Sequence, residues 1–419
     1  MSKPEGFKLE DIIRPNILKL QPYRCARDDY SAGILLDANE NALGPSITAS
    51  TSKATTNGVN GHSAAADHDG RLQSTDEEYA AMQLNRYPSP SHDDIKEKFS
   101  AYRGFKYGKQ GTFLGVGSDE IIDLLIRVTC TPGSGTGDKI LICPPTYGMY
   151  PVCACVNDVD VIRCPLETEK GTFQPRVEEI NKTLSGEDGK KIKLLFLTSP
   201  GNPTGTTILP EYLREILNHP TWRGLVVVDE AYIDFSSIPS AVSLFHEGWQ
   251  NLVVMQTLSK GFGLAGIRMG ISFQTPEFAQ ILANTKAPYS IGTPTASLAL
   301  RALSKENLQA TEEKVKHLQK NRTWLLDTLK RDFSESIGPH LGNNDANFIM
   351  VPVYSRAGAP QLDNVRAVAI YKRLAEEKGV VVRFRGNELG CEACLRMTIG
   401  TDEECKTLVE KLKEALDEI

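Results

Sequence analysis

No stretch of these 419 residues approaches the ~18 consecutive apolar residues that a membrane-spanning helix requires. The opening segment, Met1 to Glu10, is charged and has no apolar core, so no secretory signal is expected. An excess of positive charge is missing too. Lys and Arg number 47 against 53 Asp and Glu, and the resulting net charge of −6 offers no field that would attract nucleic acid. The nine cysteines are odd in number and scattered through segments that read as core, which fits reduced thiols in a cytoplasmic protein. Cys391-Glu-Ala-Cys394 has the spacing of half a zinc site, yet no second pair or nearby histidine completes four ligands, so no metal is expected. A nicotinamide site is disfavoured as well. No Gly-x-Gly-x-x-Gly opens a helix with an acidic partner at the usual distance.

What is present is the composition of an ordinary soluble protein, long enough for two domains. Residues before about Gly44 read as an N-terminal arm (1–44) that joins a smaller domain. Between Ser46 and Glu78 there is no aromatic residue, and Ser, Thr, Ala, Gly and Asn dominate. Such a segment buries too little to offset the entropy of ordering it, so 45–78 is expected to be a flexible insertion. Residues 79–301 alternate strand and helix patterns, the signature of an α/β domain with a mainly parallel sheet. The tail, 302–419, reads as α+β. It has a charged helix from about Lys305 to Arg331, apolar stretches near Asn347 to Val353 and Gly379 to Arg383, and an amphipathic helix from Asp402 to Glu418.

Four segments carry the chemistry. After the apolar run Leu252 to Met255 comes Thr-Leu-Ser-Lys-Gly-Phe-Gly-Leu-Ala-Gly, residues 257–266, with Arg268 shortly beyond. A lysine that forms a Schiff base must be partly desolvated, and small neighbours let a planar ligand approach the backbone. The hydroxyls of Thr257 and Ser259, with Arg268, suit a phosphate monoester. Leu225-Val-Val-Val-Asp-Glu-Ala-Tyr232 reads as a strand buried on both faces, with Asp229 at the C-terminal end where open α/β sheets place ligands. Asn202 is presented rigidly between prolines in Ser199-Pro-Gly-Asn-Pro-Thr-Gly205. In Gly115-Val-Gly-Ser-Asp-Glu120, Ser118 and Asp119 read as N-cap positions of an apolar helix, and free N–H groups at such a start bind anions.

Together these strings resemble the pyridoxal-phosphate enzymes of the aspartate-aminotransferase fold type. Gln21-Pro-Tyr23, Ala38-Asn-Glu-Asn41, Asn85-Arg-Tyr87-Pro, Cys143-Pro-Pro-Thr-Tyr-Gly-Met-Tyr150 and Cys394-Leu-Arg396-Met-Thr-Ile-Gly-Thr401 narrow the resemblance to the histidinol-phosphate aminotransferases. It covers nearly the whole chain outside 46–78. Family members often carry a second asparagine where Gly201 stands here.

The resemblance implies fold type I, with a mainly parallel sheet of the seven-stranded type, and pyridoxal 5′-phosphate as cofactor. Lys260 would bind the cofactor and move the proton. Asp229 would pair with the pyridine nitrogen, Tyr232 and Asn202 would meet the phenolate oxygen, and Tyr147 would stack on the ring. The phosphate would be held by Ser118, Asp119, Thr257, Ser259 and Arg268, with Tyr87 lent across a homodimer interface. Tyr23, Asn41, Arg383 and Arg396 would bind substrate, with Arg385 an alternative to Arg383. The implied reaction moves the amino group of histidinol phosphate to 2-oxoglutarate, giving imidazole acetol phosphate and glutamate, with no nucleic acid or membrane partner. An aromatic aminotransferase or a phosphate-amino-acid decarboxylase of the same fold would share the cofactor residues.

Overall fold

The computed structural model describes residues 30, 33–36, 39, 43, 88–169, 171–356 and 360–419. Tyr23, Asn41, Tyr87 and the insertion at 45–78 lie outside the described residues.

The strands are β1 (Ile34–Leu35), β2 (Thr112–Val116), β3 (Lys139–Ile142), β4 (Asp160–Arg163), β5 (Ile192–Thr198), β6 (Leu225–Asp229), β7 (Leu252–Thr257), β8 (Met269–Phe273), β9 (Phe348–Pro352), β10 (Val380–Val381), β11 (Arg383–Phe384) and β12 (Cys394–Thr398). Seven of them form one sheet in the order β2-β8-β7-β6-β5-β3-β4. The pairs β3–β4, β3–β5, β5–β6 and β6–β7 are parallel, whereas β8 runs antiparallel to both neighbours. The sheet is therefore mainly parallel, as expected, with β8 reversed.

The apolar runs explain why this sheet is covered on both faces. Successive strand residues point to opposite sides. Val226, Val228, Leu195, Leu197 and Val254 enter one core cluster. Val227, Leu194, Phe196, Val253 and Met255 enter the other. A run without polar alternation has no side left for water. The helix Gly117–Thr129 lays Ile121, Ile122, Leu124, Leu125 and Ile126 into the second cluster.

A second sheet, β11-β12-β9, is antiparallel, and Arg383 stands opposite Arg396 in its register. The pairing of β1 with β10 ties Ile34–Leu35 to this C-terminal part of the chain. Gly33 permits it. Its backbone φ is +89°, and a Cβ there would strike the Gly379 carbonyl oxygen. The charged helix runs Lys305–Asp332, capped by the Ser304 hydroxyl, and buries Thr311, Val315, Leu318, Leu325 and Leu329 along one stripe.

The last helix, Asp402–Glu418, begins with a complete capping box. Thr401 accepts from the Glu404 N–H at 3.2 Å while the Glu404 carboxylate accepts from the Thr401 N–H at 2.8 Å. Thr401→Ala should lower stability by about 1 kcal/mol. The check is a reduced urea midpoint at unchanged slope, and an unaltered midpoint would deny the cap any role.

Candidate active site

Parallel strands deliver their C-terminal ends to one edge, and that edge holds a cavity of about 310 Å³. Thr198 ends β5, Asp229 ends β6 and Thr257 ends β7, with Thr198 and Asp229 side by side in register. Because β8 is reversed, its first residues come to the same edge, and Gly270 pairs with Thr257. Arg268, immediately before β8, is thereby carried to the end of β7 although it follows Lys260 by only eight residues. It sits at φ +53°, a left-handed conformation uncommon for a residue with a side chain.

The cavity wall includes Ser118, Asp119, Tyr147, Asn202, Asp229, Tyr232, Thr257, Ser259, Lys260, Arg268, Arg383 and Arg396. Every described residue expected at the site from sequence is thus brought to one cavity. Asp229 is almost fully buried and is held by neutral donors. Tyr150 donates its hydroxyl to Oδ2 at 2.8 Å, and the Ala231 N–H reaches Oδ1 at 3.2 Å. Burial pushes the carboxyl up to about 6, against the downward pull of the Tyr150 hydrogen bond. Lys260 Nζ lies 5.9 Å from the centre of the Tyr232 ring.

At one end the groups suit a phosphate. The Thr257 Oγ is 2.9 Å from Ser259 Oγ, and Arg268 stands 3.7 Å from Asp119. Gly117 makes room for that guanidinium, since a Cβ at its φ of +71° would lie 2.5 Å from an Arg268 nitrogen. The expectation that Ser118 and Asp119 are N-caps is corrected here. The helix starts at Gly117 with Val116 as N-cap, so both residues lie within the first turn. Their N–H groups still belong to the set left without intrahelical acceptors. This hydroxyl, guanidinium and N–H cradle fits a phosphate monoester beside a lysine.

At the other end Arg383, Arg385, Glu388 and Arg396 share the wall. The structure brings both Arg383 and Arg385 to the cavity, where sequence offered them as alternatives. Arg385 pairs with Glu388 at 3.5 Å. Arg396 is nearly buried, donates to Asn202 Oδ1 at 2.6 Å, and lies 5.2 Å from the Phe348 ring centre.

The chain matches the family description "Aminotransferase class I and II" over residues 57–412. It is 43% identical over 425 residues to the histidinol-phosphate aminotransferase of Candida maltosa, covering 99% of both chains. It is 42% identical to the Saccharomyces cerevisiae enzyme of that name, covering 98% of each. The chain belongs to the histidinol-phosphate aminotransferase family. In fold it is similar to a family structure from Sinorhizobium meliloti, described as a complex with pyridoxal-5′-phosphate, at TM-score 0.75 and 18% identity, covering 97% of this chain and 98% of that one.

Sequence reasoning passed over several residues that this aminotransferase brings to the cavity or its support. Asn39 lines the wall and donates to the Tyr232 hydroxyl at 3.2 Å. Its backbone carbonyl accepts from Asn347, and its Oδ1 accepts from Thr398. Asn39 lies in Ala38–Asn41, where Asn41 was the residue expected at the substrate. Tyr150, Thr146, Thr198 and Glu388 were likewise unassigned. Tyr150 and Thr146 lie within Cys143–Tyr150, so sequence shows their presence but not their hydrogen bonds.

The raised Asp229 carboxyl has a consequence for the cofactor-free protein. Its folded value of about 6 exceeds the ordinary 3.8, so it favours folding fully only below about 4 and that contribution is lost as pH rises through about 6. Asp229→Asn removes a buried charge at neutral pH, and the amide can donate to Tyr150, whose own proton then turns to Thr198. At pH 7.5 the cofactor-free variant should melt about 2–5 °C higher than the parent. A lower melting temperature in a thermal-shift measurement would show that the carboxylate is not a stability liability.

Proposed function

We infer that this protein is a pyridoxal-phosphate-dependent aminotransferase. It moves the amino group reversibly between L-histidinol phosphate and 2-oxoglutarate, and forms histidinol phosphate from imidazole acetol phosphate in histidine biosynthesis. The observation that carries this reading is one cavity that holds Lys260 and Asp229 together with two separate sets of anion-binding groups. One set suits the cofactor phosphate. The arginines at the other end remain for an anionic substrate.

Pyridoxal phosphate, when bound, supplies a carbonyl carbon that takes up and returns the amino group and a pyridine ring that withdraws electrons. Each protein group then has a task set by its chemistry. Lys260 Nζ would hold the cofactor at its carbonyl carbon and would serve as the general acid and base that moves the substrate proton. Asp229 would pair with the ring nitrogen and keep a proton on it. Asn202 and Tyr232 would hydrogen-bond the phenolate oxygen, and Tyr147 would cover the ring. Ser118, Asp119, Thr257, Ser259 and Arg268 would hold the phosphate. Arg396, Arg383 and Arg385 take the phosphate of histidinol phosphate and the carboxylates of 2-oxoglutarate and glutamate in turn. Arg396 also touches Asn202, so substrate anion and cofactor side are joined by one 2.6 Å hydrogen bond.

The finer assignments rest on the family resemblance. The protein works as a homodimer in the cytoplasm, with Tyr87 reaching the neighbouring cofactor phosphate and with Tyr23 and Asn41 at the substrate. Among the described residues no helix is long and apolar enough to cross a membrane, and the described cysteines form no disulfide. The division into an arm to 44, an insertion at 45–78, a cofactor domain at 79–301 and a smaller domain at 302–419 accords with this reading. Deleting most of residues 48–75 should leave activity and dimer mass unchanged in gel filtration with light scattering.

The deciding assay incubates the purified protein with histidinol phosphate and 2-oxoglutarate and follows glutamate. Histidinol phosphate should exceed phenylalanine and unphosphorylated histidinol in kcat/KM. A clear preference for phenylalanine would move the protein to the aromatic aminotransferases, and released carbon dioxide would make it a lyase. Lys260→Ala should retain pyridoxal phosphate by its phosphate contacts while turnover disappears. Arg396→Ala should cost both half-reactions about 1.5–3 kcal/mol in transition-state binding. An effect confined to one half-reaction would rule out a shared anion site.

A further inference from the structure

From the cavity wall at Thr146 and Thr198 a row of hydroxyl groups leads to the buried Tyr150, and the direction of each proton follows from the partners. Tyr150 is completely buried, and its hydroxyl is 2.8 Å from Asp229 Oδ2 and 2.8 Å from Thr198 Oγ1. Thr146 Oγ1 is 3.0 Å from Thr198 Oγ1. An ionised carboxylate only accepts, so the single phenolic proton of Tyr150 is committed to Asp229. Thr198 must then donate to Tyr150. Having one proton, Thr198 can only accept from Thr146. All three hydroxyls therefore point the same way, toward Asp229, and hydrogen bonds aligned in this manner polarise and strengthen one another.

We propose that Thr146, Thr198 and Tyr150 form a one-way hydroxyl chain that clamps Asp229 Oδ2 and presents the carboxylate, still charged, to the ring nitrogen of the cofactor. This inference rests on the reading that Asp229 meets that nitrogen. The parts are placed by different elements. Thr198 and Asp229 are register neighbours on β5 and β6, and Tyr150 enters from the start of the helix Met149–Val156. The Tyr150 ring is fixed by stacking on Phe196, with centroids 4.7 Å apart and planes at 20°, and by the edge of Tyr147 at 5.7 Å.

The choice of neutral donors has a physical reason. A guanidinium or ammonium on Oδ2 would neutralise the very charge that must favour a protonated pyridine. Hydroxyls fix the geometry and leave the charge intact. Burial and the Asp229 charge raise Tyr150 well above the ordinary phenol range, so its proton stays in place. Tyr150, Thr198 and Thr146 are positioning residues, acting through Asp229.

The test measures dissociation constants for two cofactors: pyridoxal phosphate and its carbocyclic analogue with C–H in place of the ring nitrogen. Tyr150→Phe keeps the stacked ring and should raise the constant for pyridoxal phosphate about tenfold, the scale of a hydrogen bond to a charged group. Binding of the carbocyclic analogue should be unchanged, since it has no nitrogen for Asp229 to meet. Thr198→Val and Thr146→Val should act in the same direction with smaller effects. Tyr150→Phe combined with Thr198→Val should be no worse than Tyr150→Phe alone, because links of one chain do not add. Equal losses for both cofactors, no loss, or an additive double variant would overturn the proposal. Asp229→Asn separates the two levels of inference. If it fails to discriminate the cofactors, the pairing of Asp229 with the ring nitrogen is wrong. If it discriminates and Tyr150→Phe does not, the hydroxyl chain alone falls.

Discussion

Asp229 is a carboxylate withdrawn almost wholly from water, and much of the surrounding structure can be understood as the means of keeping it there. Removing a charge from solvent is unfavourable unless hydrogen bonds replace the lost hydration. Here the replacements are a phenol and a backbone N–H, both uncharged. They require a strand buried on both faces to set the depth of Asp229, a neighbouring strand to bring Thr198 alongside, and a helix start to bring Tyr150 in from the side. Glu230, the next residue, points elsewhere. Its carboxylate accepts from Ser240, the Ala241 N–H and Gln256, and burial pushes it up to about 7. Adjacent acids at one strand end thus serve opposite sides, one toward the cavity and one into the support beneath it.

The reversed strand β8 solves a geometric problem. A fully parallel arrangement would need a long crossover before another chain segment could start at the cavity edge. Antiparallel pairing lets the chain leave β7, pass Lys260, place Arg268 and return at once. Lys260 and Arg268 are therefore supplied by one short connection. The arginine-rich end comes from a different sheet, where Arg383 and Arg396 are cross-strand partners. The cavity joins an edge built by parallel strands, which carries Asp229 and leads into Lys260, to a wall built by antiparallel ones, which carries Arg383 and Arg396.

Much of this was legible in the chain. The apolar runs before Asp229 and Thr257 marked strand ends, and strand ends in an α/β sheet mark a site. The charged helix read from about Lys305 to Arg331 and the amphipathic helix Asp402–Glu418 both formed, the first reaching Asp332. What could not be read were contacts between residues far apart in sequence. Tyr150 meets Asp229 across 79 positions, and Asn39 meets Thr398 across 359. Local pattern carries no information about such pairs. The reading of Ser118 and Asp119 as N-caps failed for another reason. Both have the chemistry of caps, but Gly117 takes the left-handed conformation required at the turn and starts the helix two residues ahead of Asp119.

The hold on Asn39 has a consequence for how the protein comes into being. Asn39 supports Tyr232, and its own anchors are Asn347 and Thr398. On the ribosome the first of these residues emerges hundreds of positions before the last. The wall of the site beside Tyr232 must wait until β12 has been synthesised, since no local contact can stand in for a partner not yet made. A prematurely terminated chain ending before β12 would keep Lys260 and Asp229 but lack the Thr398 anchor and the Arg396 guanidinium. In this fold the site is completed only once β12 has been made.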